Sequence, residues 1–136
     1  MNQRRGFTFI ELLVAMIFFG ILTAIAVPRY RLYKERAYLA TLKSDLGNVR
    51  IAEEEYFAEQ QRYATDTAAL GYRVSSKVAL TLTSQDAMGG YAAVATHVLL
   101  PGQQCATYVG RDAANVISGQ IVCGTANTSS VGQPTP

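Results

Sequence analysis

The longest feature of the hydropathy pattern is an apolar run over residues 7–27, FTFIELLVAMIFFGILTAIAV. Glu11 is the only charged residue in this run. As a helix rising about 1.5 Å per residue, the run would be roughly 31 Å long, which matches the hydrocarbon thickness of a bilayer. A carboxylate inside such a span costs about 2.5–3.5 kcal/mol, so a functional role is predicted for Glu11.

A helical pattern of period 3.6 follows the apolar run, from Arg29 to about Arg62. Apolar residues recur there at spacings of three, four and seven and form one stripe. They are Leu32, Leu39, Leu42, Leu46, Val49 and Tyr56. Joined to the apolar run, the stripe predicts one helix of about 55 residues, apolar all round in its front half and amphipathic in its back half. Gly20 and Pro28 are weak points of that helix, because glycine lowers helix propensity and proline removes a backbone hydrogen bond.

After Arg73 the apolar period changes to two, which is typical of strands. Residues 77–84 place Val78, Leu80 and Leu82 on one face. Further short runs cover residues 91–100, 105–109 and 120–123, separated by turn-forming glycine, proline, aspartate and asparagine. We therefore predict an α+β fold, in which the amphipathic half of the long helix packs on an antiparallel sheet of about four strands.

Charge and length limit the possible functions. The chain has 136 residues, enough for one domain, and a formal net charge of +2. Arg4 and Arg5 supply that excess, since ten basic and ten acidic side chains remain when residues 1–6 are removed. A generally basic surface for nucleic acid is therefore not predicted. The uncharged residues 125–136 are predicted to be a flexible tail.

No catalytic or metal-binding pattern is visible in the sequence. His97 is the only histidine, and its strand context favours a structural or surface role. The glutamates at 53, 54, 55 and 59 have no partner acid or metal-binding residue nearby, so we interpret them as a solvated helical face. The chain is predicted not to be an enzyme and to need no cofactor or metal.

The two cysteines, Cys105 and Cys123, lie on adjacent predicted strands. In an exported chain an even cysteine count favours a disulfide, while two buried free thiols are the alternative. The bond would staple the C-terminal hairpin by closing a loop of about 19 residues, worth about 3 kcal/mol.

The segment GFTFIEL, residues 6–12, resembles the signal at the start of type IV pilins and type II secretion pseudopilins. It has a short basic leader ending in Gly6, an aromatic residue at Phe7, a glutamate four residues later and then an unbroken apolar run. Pro28, which directly follows the apolar run, also fits the family. The resemblance extends from Met1 to about Tyr30, and it implies the pilin fold.

The resemblance implies a sequence of processing and assembly steps. A prepilin peptidase and N-methyltransferase would cleave between Gly6 and Phe7 and methylate the new amino group of Phe7. Glu11 would pair with that amine between subunits during filament assembly, and Gly20 and Pro28 would let the helix loosen as it leaves the bilayer. Further implied partners are other copies of the chain in a helical filament, an inner-membrane platform protein and a cytoplasmic assembly ATPase.

These expectations divide the chain into four segments. They are a leader at residues 1–6, a transmembrane and filament-core helix at 7–28, a globular domain at 29–124 that includes the amphipathic half-helix, and the tail at 125–136. The subunit would cross the inner membrane once before assembly and then form an extracellular pilus, or fimbrium. The roles open to such a major or minor subunit are twitching motility, cell adhesion and DNA uptake, of which the last involves contact with nucleic acid.

Two alternatives stay open. Within the family, the cysteine pair and the lack of an evident acidic calcium loop favour a pilus subunit over a type II secretion pseudopilin. Outside it, Ala24-Ile25-Ala26 fits a signal-peptidase site, so the chain would be a soluble secreted binding domain starting at Val27. Against that alternative, ordinary signal peptides have apolar regions of about 7–15 residues and carry no acid inside them.

Overall fold

One long helix and a four-stranded sheet make up the described part of the computed structural model, which comprises residues 6–84, 87–110 and 117–125. Helix α1 spans Phe9–Gln60, and the strands are β1 (Val78–Thr83), β2 (Gly90–His97), β3 (Gln103–Gly110) and β4 (Ile121–Thr125). The predicted α+β arrangement is confirmed. Residues 1–5 of the predicted leader and 126–136 of the predicted tail lie outside the described residues.

Helix α1 ends through a change of backbone conformation at Gln61. This residue has a left-handed φ of 55°, and its N–H donates to the Phe57 carbonyl at 2.9 Å. The Gln61 side-chain amide also donates to the Ala58 carbonyl at 3.3 Å. Both bonds satisfy carbonyls that the last turn of a helix otherwise leaves without partners. The helix thus ends two residues before the predicted position at Arg62.

The chain divides into two compact units, Met1–Arg36 and Ala37–Pro136. In the first unit, every described residue from Gly6 to Arg36 is exposed. The apolar part of this helix is long enough to cross a membrane, and none of it is buried in the protein. The helix continues without interruption through Gly20 and Pro28, so loosening at these residues stays a prediction.

The sheet of the second unit has its strands in chain order, and each neighbouring pair is antiparallel. Gly110 shows how tightly β3 approaches the start of β2. Its φ is 71°, and a Cβ at this position would collide with the Gly89 carbonyl oxygen. A glycine is therefore required where β3 ends beside the turn into β2.

The core of the second unit lies between one face of α1 and one face of the sheet. Three fully buried helical side chains, Leu42, Leu46 and Val49, belong to it. The sheet contributes the buried residues Val78, Leu82, Tyr91, Ala93, Ala95 and Cys105. Leu80 is partly buried in the same cluster while the intervening residues of β1 are exposed, so the predicted alternation is confirmed. Burial of each large side chain contributes about 1.5–3 kcal/mol.

The buried stripe of α1 is shorter than its sequence pattern. Leu39 and Tyr56 are partly buried against the core, but Leu32 is 55% exposed. Spacing alone placed Leu32 on the stripe, whereas burial also requires a neighbouring element. In the first unit, no described residue packs over the Leu32 side chain and buries it.

Two carboxylates lie within the buried face of α1. Asp45 is 2% exposed and accepts hydrogen bonds from the Tyr72 hydroxyl at 2.8 Å and from the N–H and hydroxyl of Ser75 at 3.1 and 2.9 Å. Glu53 is fully buried, and its Oε2 accepts a bond from the Ala64 N–H at 2.9 Å. Both acids thus hold the segment between α1 and β1 against the helix.

The burial of Glu53 corrects our interpretation of the acidic cluster. A solvated helical face describes Glu54, Glu55 and Glu59, which are exposed, but it is wrong for Glu53. The physical reason is the Ala64 N–H, a donor that needs a partner once the segment after the helix folds back.

His97 has a structural role. It is buried, and its ring stacks on that of Tyr38 with the centroids 4.4 Å apart. The Leu99 N–H donates to His97 Nδ1 at 3.1 Å, which fixes the ring in the turn after β2.

The disulfide between Cys105 and Cys123 is present, as predicted. The two cysteines face each other directly in the register of β3 and β4. Cys105 is fully buried and Cys123 is half-buried. The bond therefore ties the edge strand β4 to a strand of the core.

Candidate functional site at the start of the N-terminal helix

Thr8 and Glu11 cap the N-terminus of α1. Thr8 directly precedes the helix; its N–H donates to Glu11 Oε2 at 2.9 Å, and the Glu11 N–H donates to Thr8 Oγ1 at 3.4 Å. This reciprocal pair is a capping box, which satisfies backbone donors that a helix start otherwise leaves open. In lipid such open donors have no water to bind, so the box also lowers the cost of burying the helix end there.

The capping box fixes one oxygen of the Glu11 carboxylate. The Thr8 hydroxyl donates to Oε2 at 2.7 Å, so both bonds from Thr8 end on the same oxygen. These bonds hold the Glu11 carboxylate beside the backbone of Thr8, the residue that follows Phe7. Sequence analysis missed the role of Thr8, although the T-x-x-E spacing of Thr8 and Glu11 is the signal of a capping box.

The immediate surroundings of Glu11 are apolar. A shallow groove on the surface of the helix is lined by Glu11 together with Ile10, Val14, Ala15 and Phe18. When another apolar surface covers this groove, the local dielectric constant falls and an opposite charge is attracted to Glu11 more strongly than in water.

Gly6 and Phe7, the predicted cleavage residues, lie open in front of the helix. Phe7 is 84% exposed. A Cβ added to Gly6 would meet no other atom within 4 Å. Among the residues that the structure describes, nothing thus requires a glycine at this position for steric reasons.

Gly20 and Pro28 lie further along the same helix. A Cβ at Gly20 would also meet nothing within 4 Å, so its lack of a side chain serves no packing within the unit. Close to Gly20, the Thr23 hydroxyl donates to the carbonyls of Phe19 and Gly20 at 2.9 and 3.0 Å. Thr23 therefore satisfies its own hydroxyl inside an apolar helix, and such bonds to earlier carbonyls weaken the helix locally.

The predicted site residues fall into two groups. Gly6, Phe7 and Glu11 come together at the start of α1, with Gly20 and Pro28 later in the same helix. Cys105 and Cys123 belong to the second unit, where their bond stabilises the sheet.

The N-terminus matches a known family model. Residues 1–27 match the model described as the prokaryotic N-terminal methylation motif. This range contains the Gly6–Phe7 junction, the Thr8–Glu11 box and the whole apolar run.

Similarity to characterised proteins extends beyond the motif. The chain is 33% identical over 70 residues to the type IV major pilin protein PilA of Myxococcus xanthus, covering 52% of this chain and 32% of the relative. It is 33% identical over 75 residues to the type IV major fimbrial protein FimA of Dichelobacter nodosus, covering 55% and 46%. It is 32% identical over 91 residues to the type II secretion system core protein G of Klebsiella pneumoniae, covering 67% and 65%.

The chain spans less than two thirds of the length of each of these relatives. They are structural components of pili and of a secretion system, which agrees with the prediction that this chain is not an enzyme. With the methylation motif at its start and an α+β arrangement of one long helix on a four-stranded sheet, the chain is similar to type IV pilins and type II secretion pseudopilins.

Proposed function

We propose that this chain is a structural subunit of a type IV pilus and polymerises into an extracellular filament through α1. The observation that carries the proposal is the exposed apolar part of α1, residues 9–27, whose one charge, Glu11, lies in a capping box just after the Gly6–Phe7 junction. An exposed apolar surface of this length needs either lipid or other helices to cover it. In a subunit that moves from membrane to filament, this surface is covered first by lipid and then by other helices.

The first stage is a single-pass protein of the inner membrane. The leader, residues 1–6, lies in the cytoplasm, residues 7–28 cross the bilayer, and residues 29–124 form the exported domain. A prepilin peptidase cleaves after Gly6, which leaves a positive amino group on Phe7 that is then methylated. Because Glu11 lies four residues further along, in the first turn of α1, it can compensate this charge in the apolar surroundings.

The second stage is assembly. When a subunit enters the filament, its N-terminal amine meets the Glu11 groove of a neighbour. An unpaired carboxylate is costly in that place, so only the correct axial alignment is stable. An inner-membrane platform protein and a cytoplasmic ATPase supply the movement, and Gly20, Thr23 and Pro28 let the helix adjust as it leaves the bilayer.

The proposal is tested by the intact mass of the mature protein. We expect a chain that starts at Phe7 and carries one added methyl group, recovered in filaments sheared from cells. The Gly6→Val variant should stay uncleaved in the membrane, because a peptidase that approaches the backbone closely has no room for the added side chain. A mature chain that starts at Val27 would instead identify an ordinary signal peptide and contradict the proposal.

A second candidate function is that of a type II secretion pseudopilin. The similarity to the secretion core protein runs over 91 residues, further than the similarities to PilA and FimA. Deletion of the chain in its native cell separates the candidates. Loss of surface filaments with normal protein secretion supports the pilus, whereas loss of secretion without loss of surface filaments supports the pseudopilus.

A further inference from the structure

We propose that residues 29–36, RYRLYKER, which we call the basic collar, bind the phosphate headgroups of anionic phospholipids. The membrane surface concerned is the one at which the C-terminal end of the apolar run leaves the lipid. This inference rests on the proposed membrane stage of the subunit and goes beyond it by assigning a ligand to the collar.

The collar concentrates positive charge. It contains Arg29, Arg31, Lys34 and Arg36 against a single acid, Glu35, which gives a net side-chain charge of +3. Without residues 1–6 the whole chain is neutral, so the rest of the mature chain carries −3. All residues of the collar are exposed. A cluster of basic residues directly beside a membrane span attracts anionic lipids.

Two tyrosines make the collar suitable for the membrane interface. Tyr30 and Tyr33 are each 61% exposed, whereas tyrosine is on average intermediate in burial. At the boundary between lipid and water, such rings place their apolar body in the lipid and their hydroxyl among the headgroups. Lys34 Nζ lies 4.8 Å from the Tyr30 ring centroid, which keeps one cation at the level of this ring.

The collar also presents a groove of the right chemistry for a phospholipid. Arg29, Leu32, Tyr33 and Arg36 line it, so the groove combines two basic side chains with two side chains that carry apolar surface. Guanidinium groups bind phosphate oxygens in a bidentate manner, and the apolar surfaces of Leu32 and Tyr33 can cover the glycerol and upper acyl carbons. A bare polyanion would use the two arginines but not Leu32 and Tyr33.

The length of the collar fits the headgroup layer. Residues 7–27 are as long as the hydrocarbon core is thick, so the chain leaves that core near Pro28. Eight further helical residues extend about 12 Å, and the headgroup layer on one side is about 5–8 Å thick. The collar must therefore pass through this layer, where lipid phosphates are the nearest anions. Nucleic acid is disfavoured in the same place, because an anionic membrane surface repels it.

The inference is tested with the full mature chain reconstituted in phosphatidylcholine vesicles containing about 30 mol% phosphatidylglycerol. Spin-labelled phosphatidylglycerol and phosphatidylcholine are compared for the fraction of each lipid immobilised by the protein. We expect the relative association of phosphatidylglycerol to exceed that of phosphatidylcholine by about threefold or more, and to fall towards equality at about 0.5 M salt. The collar variant R29Q/R31Q/K34Q/R36Q should show no preference.

A matched control removes four exposed cations elsewhere in the chain, as K43Q/R62Q/R73Q/K77Q. It should keep the preference for phosphatidylglycerol. An equal loss in both variants would mean that only net charge matters and would overturn the assignment to the collar. Release of phosphatidylglycerol by duplex DNA added at equal charge would identify a nucleic-acid surface and also overturn it.

The proposed membrane stage is checked separately by co-flotation with vesicles of pure phosphatidylcholine. Both variants and the unchanged chain should float, because insertion depends on the apolar span. A chain that does not float would contradict the proposed membrane stage. A chain that floats without lipid preference would contradict the collar inference alone.

Discussion

At the scale of the residue, Glu11 combines a local and an intermolecular role. Its Oε2 closes the capping box with Thr8, which is reason enough for a glutamate at this position of a helix. The proposed pairing with an N-terminal amine requires the negative charge as well. The two roles predict different outcomes for two small substitutions, so they can be separated.

Glu11→Gln keeps an acceptor within reach of the Thr8 N–H but removes the charge. Thr8→Val removes the capping hydroxyl, which costs about 1 kcal/mol of helix stability, but keeps the charge. If the charge controls assembly, Glu11→Gln is exported and cleaved but yields few filaments, while Thr8→Val assembles. The measurement is the yield of sheared filaments beside the amount of mature protein in the membrane. Normal filaments from Glu11→Gln, with loss in Thr8→Val, would reduce Glu11 to a helix cap.

Glu53 is the second residue with an unusual setting, in the core of the second unit. Burial raises the pKa of Glu53, the Ala64 N–H opposes this, and the neighbouring Glu54 adds to it. Among the residues that the structure describes, Glu53 Oε1 and the Tyr91 hydroxyl are buried without a hydrogen-bond partner. Burial likewise raises the pKa of the Tyr91 hydroxyl, and the Glu53 carboxylate adds to that shift. The ionised form of Glu53 is thus a cost to the folded state at neutral pH.

This cost gives the stability of the second unit a pH dependence of known sign. A folded-state pKa above the unfolded value means that the folded state binds the proton more tightly, so the free energy of unfolding rises as pH falls through the folded pKa. We expect Glu53 to contribute such a rise as the pH falls from neutral towards the ordinary glutamate pKa of 4.5. Denaturant unfolding of the detergent-solubilised chain should show a weaker rise for Glu53→Gln. The exposed neighbour provides the control, since Glu54→Gln should keep most of the wild-type slope. Identical slopes for Glu53→Gln and wild type would contradict the prediction.

At the scale of the element, α1 shows what the hydrophobic pattern and its period can predict and what they cannot. The change from period 3.6 to period two identified one long helix and four strands, because both periods are local properties of the chain. The burial of Asp45 and Glu53 is not local. Their donors lie 27 and 30 residues away for Asp45, and 11 residues away for Glu53. A sequence pattern that scores both as polar positions cannot anticipate such partners.

The predicted residues likewise divide into those whose setting follows from local sequence and those whose setting depends on distant parts of the chain. Gly6, Phe7 and Glu11 were found through a contiguous motif, and the capping role of Thr8 was readable from its spacing to Glu11. The exposure of Leu32 was not readable, because a helical stripe does not say where the packed partner ends. The disulfide was predicted correctly because both cysteines fall on neighbouring strands of a hairpin.

The β3–β4 hairpin depends on that disulfide. Cys123→Ser should lower the free energy of unfolding by about 2–4 kcal/mol, because the unfolded chain regains the freedom of the closed loop. Cys105→Ser should cost more, because Cys105 is fully buried and the serine hydroxyl would need a partner in the core. Urea unfolding of both variants and of the double variant measures the difference. Stoichiometric labelling of unreduced, denatured wild-type protein by a thiol reagent would refute the pairing.

At the scale of the whole molecule, opposite charges are separated along the chain. The groove of the basic collar carries Arg29 and Arg36 beside Leu32 and Tyr33. A second groove carries Glu55 and Glu59 beside Tyr56 and Leu70. The centres of the two charged pairs are separated in sequence by about 24 residues. Glu53, which we first grouped with these acids, is buried and is not available to a partner.

The two grooves suggest that the collar changes partner when the subunit leaves the membrane. We predict that, in a filament of parallel subunits, Arg29 and Arg36 of one copy lie against Glu55 and Glu59 of another. The attraction would replace the lipid phosphates that the collar loses, and it would favour one register over others. Electrostatic complementarity of this kind acts on alignment and on the rate of association more than on affinity.

We predict that E55K/E59K lowers filament yield while the monomer stays folded, because both acids are exposed and neither belongs to the core. The reciprocal variant R29E/R36E should fail in the same way, and the combination of all four changes should recover much of the yield by restoring opposite charges. Glu54→Lys is the control: Glu54 is exposed on the same helix but does not line the groove, so its reversal should have a smaller effect than Glu55→Lys alone. Sheared-filament yield at low and high salt measures the effect, and near-ultraviolet circular dichroism checks the fold. If the combined variant recovers nothing while each parent is folded and cleaved, the grooves do not meet in the filament. In that case the acidic groove is only a solvated surface, and the register depends on Glu11 alone.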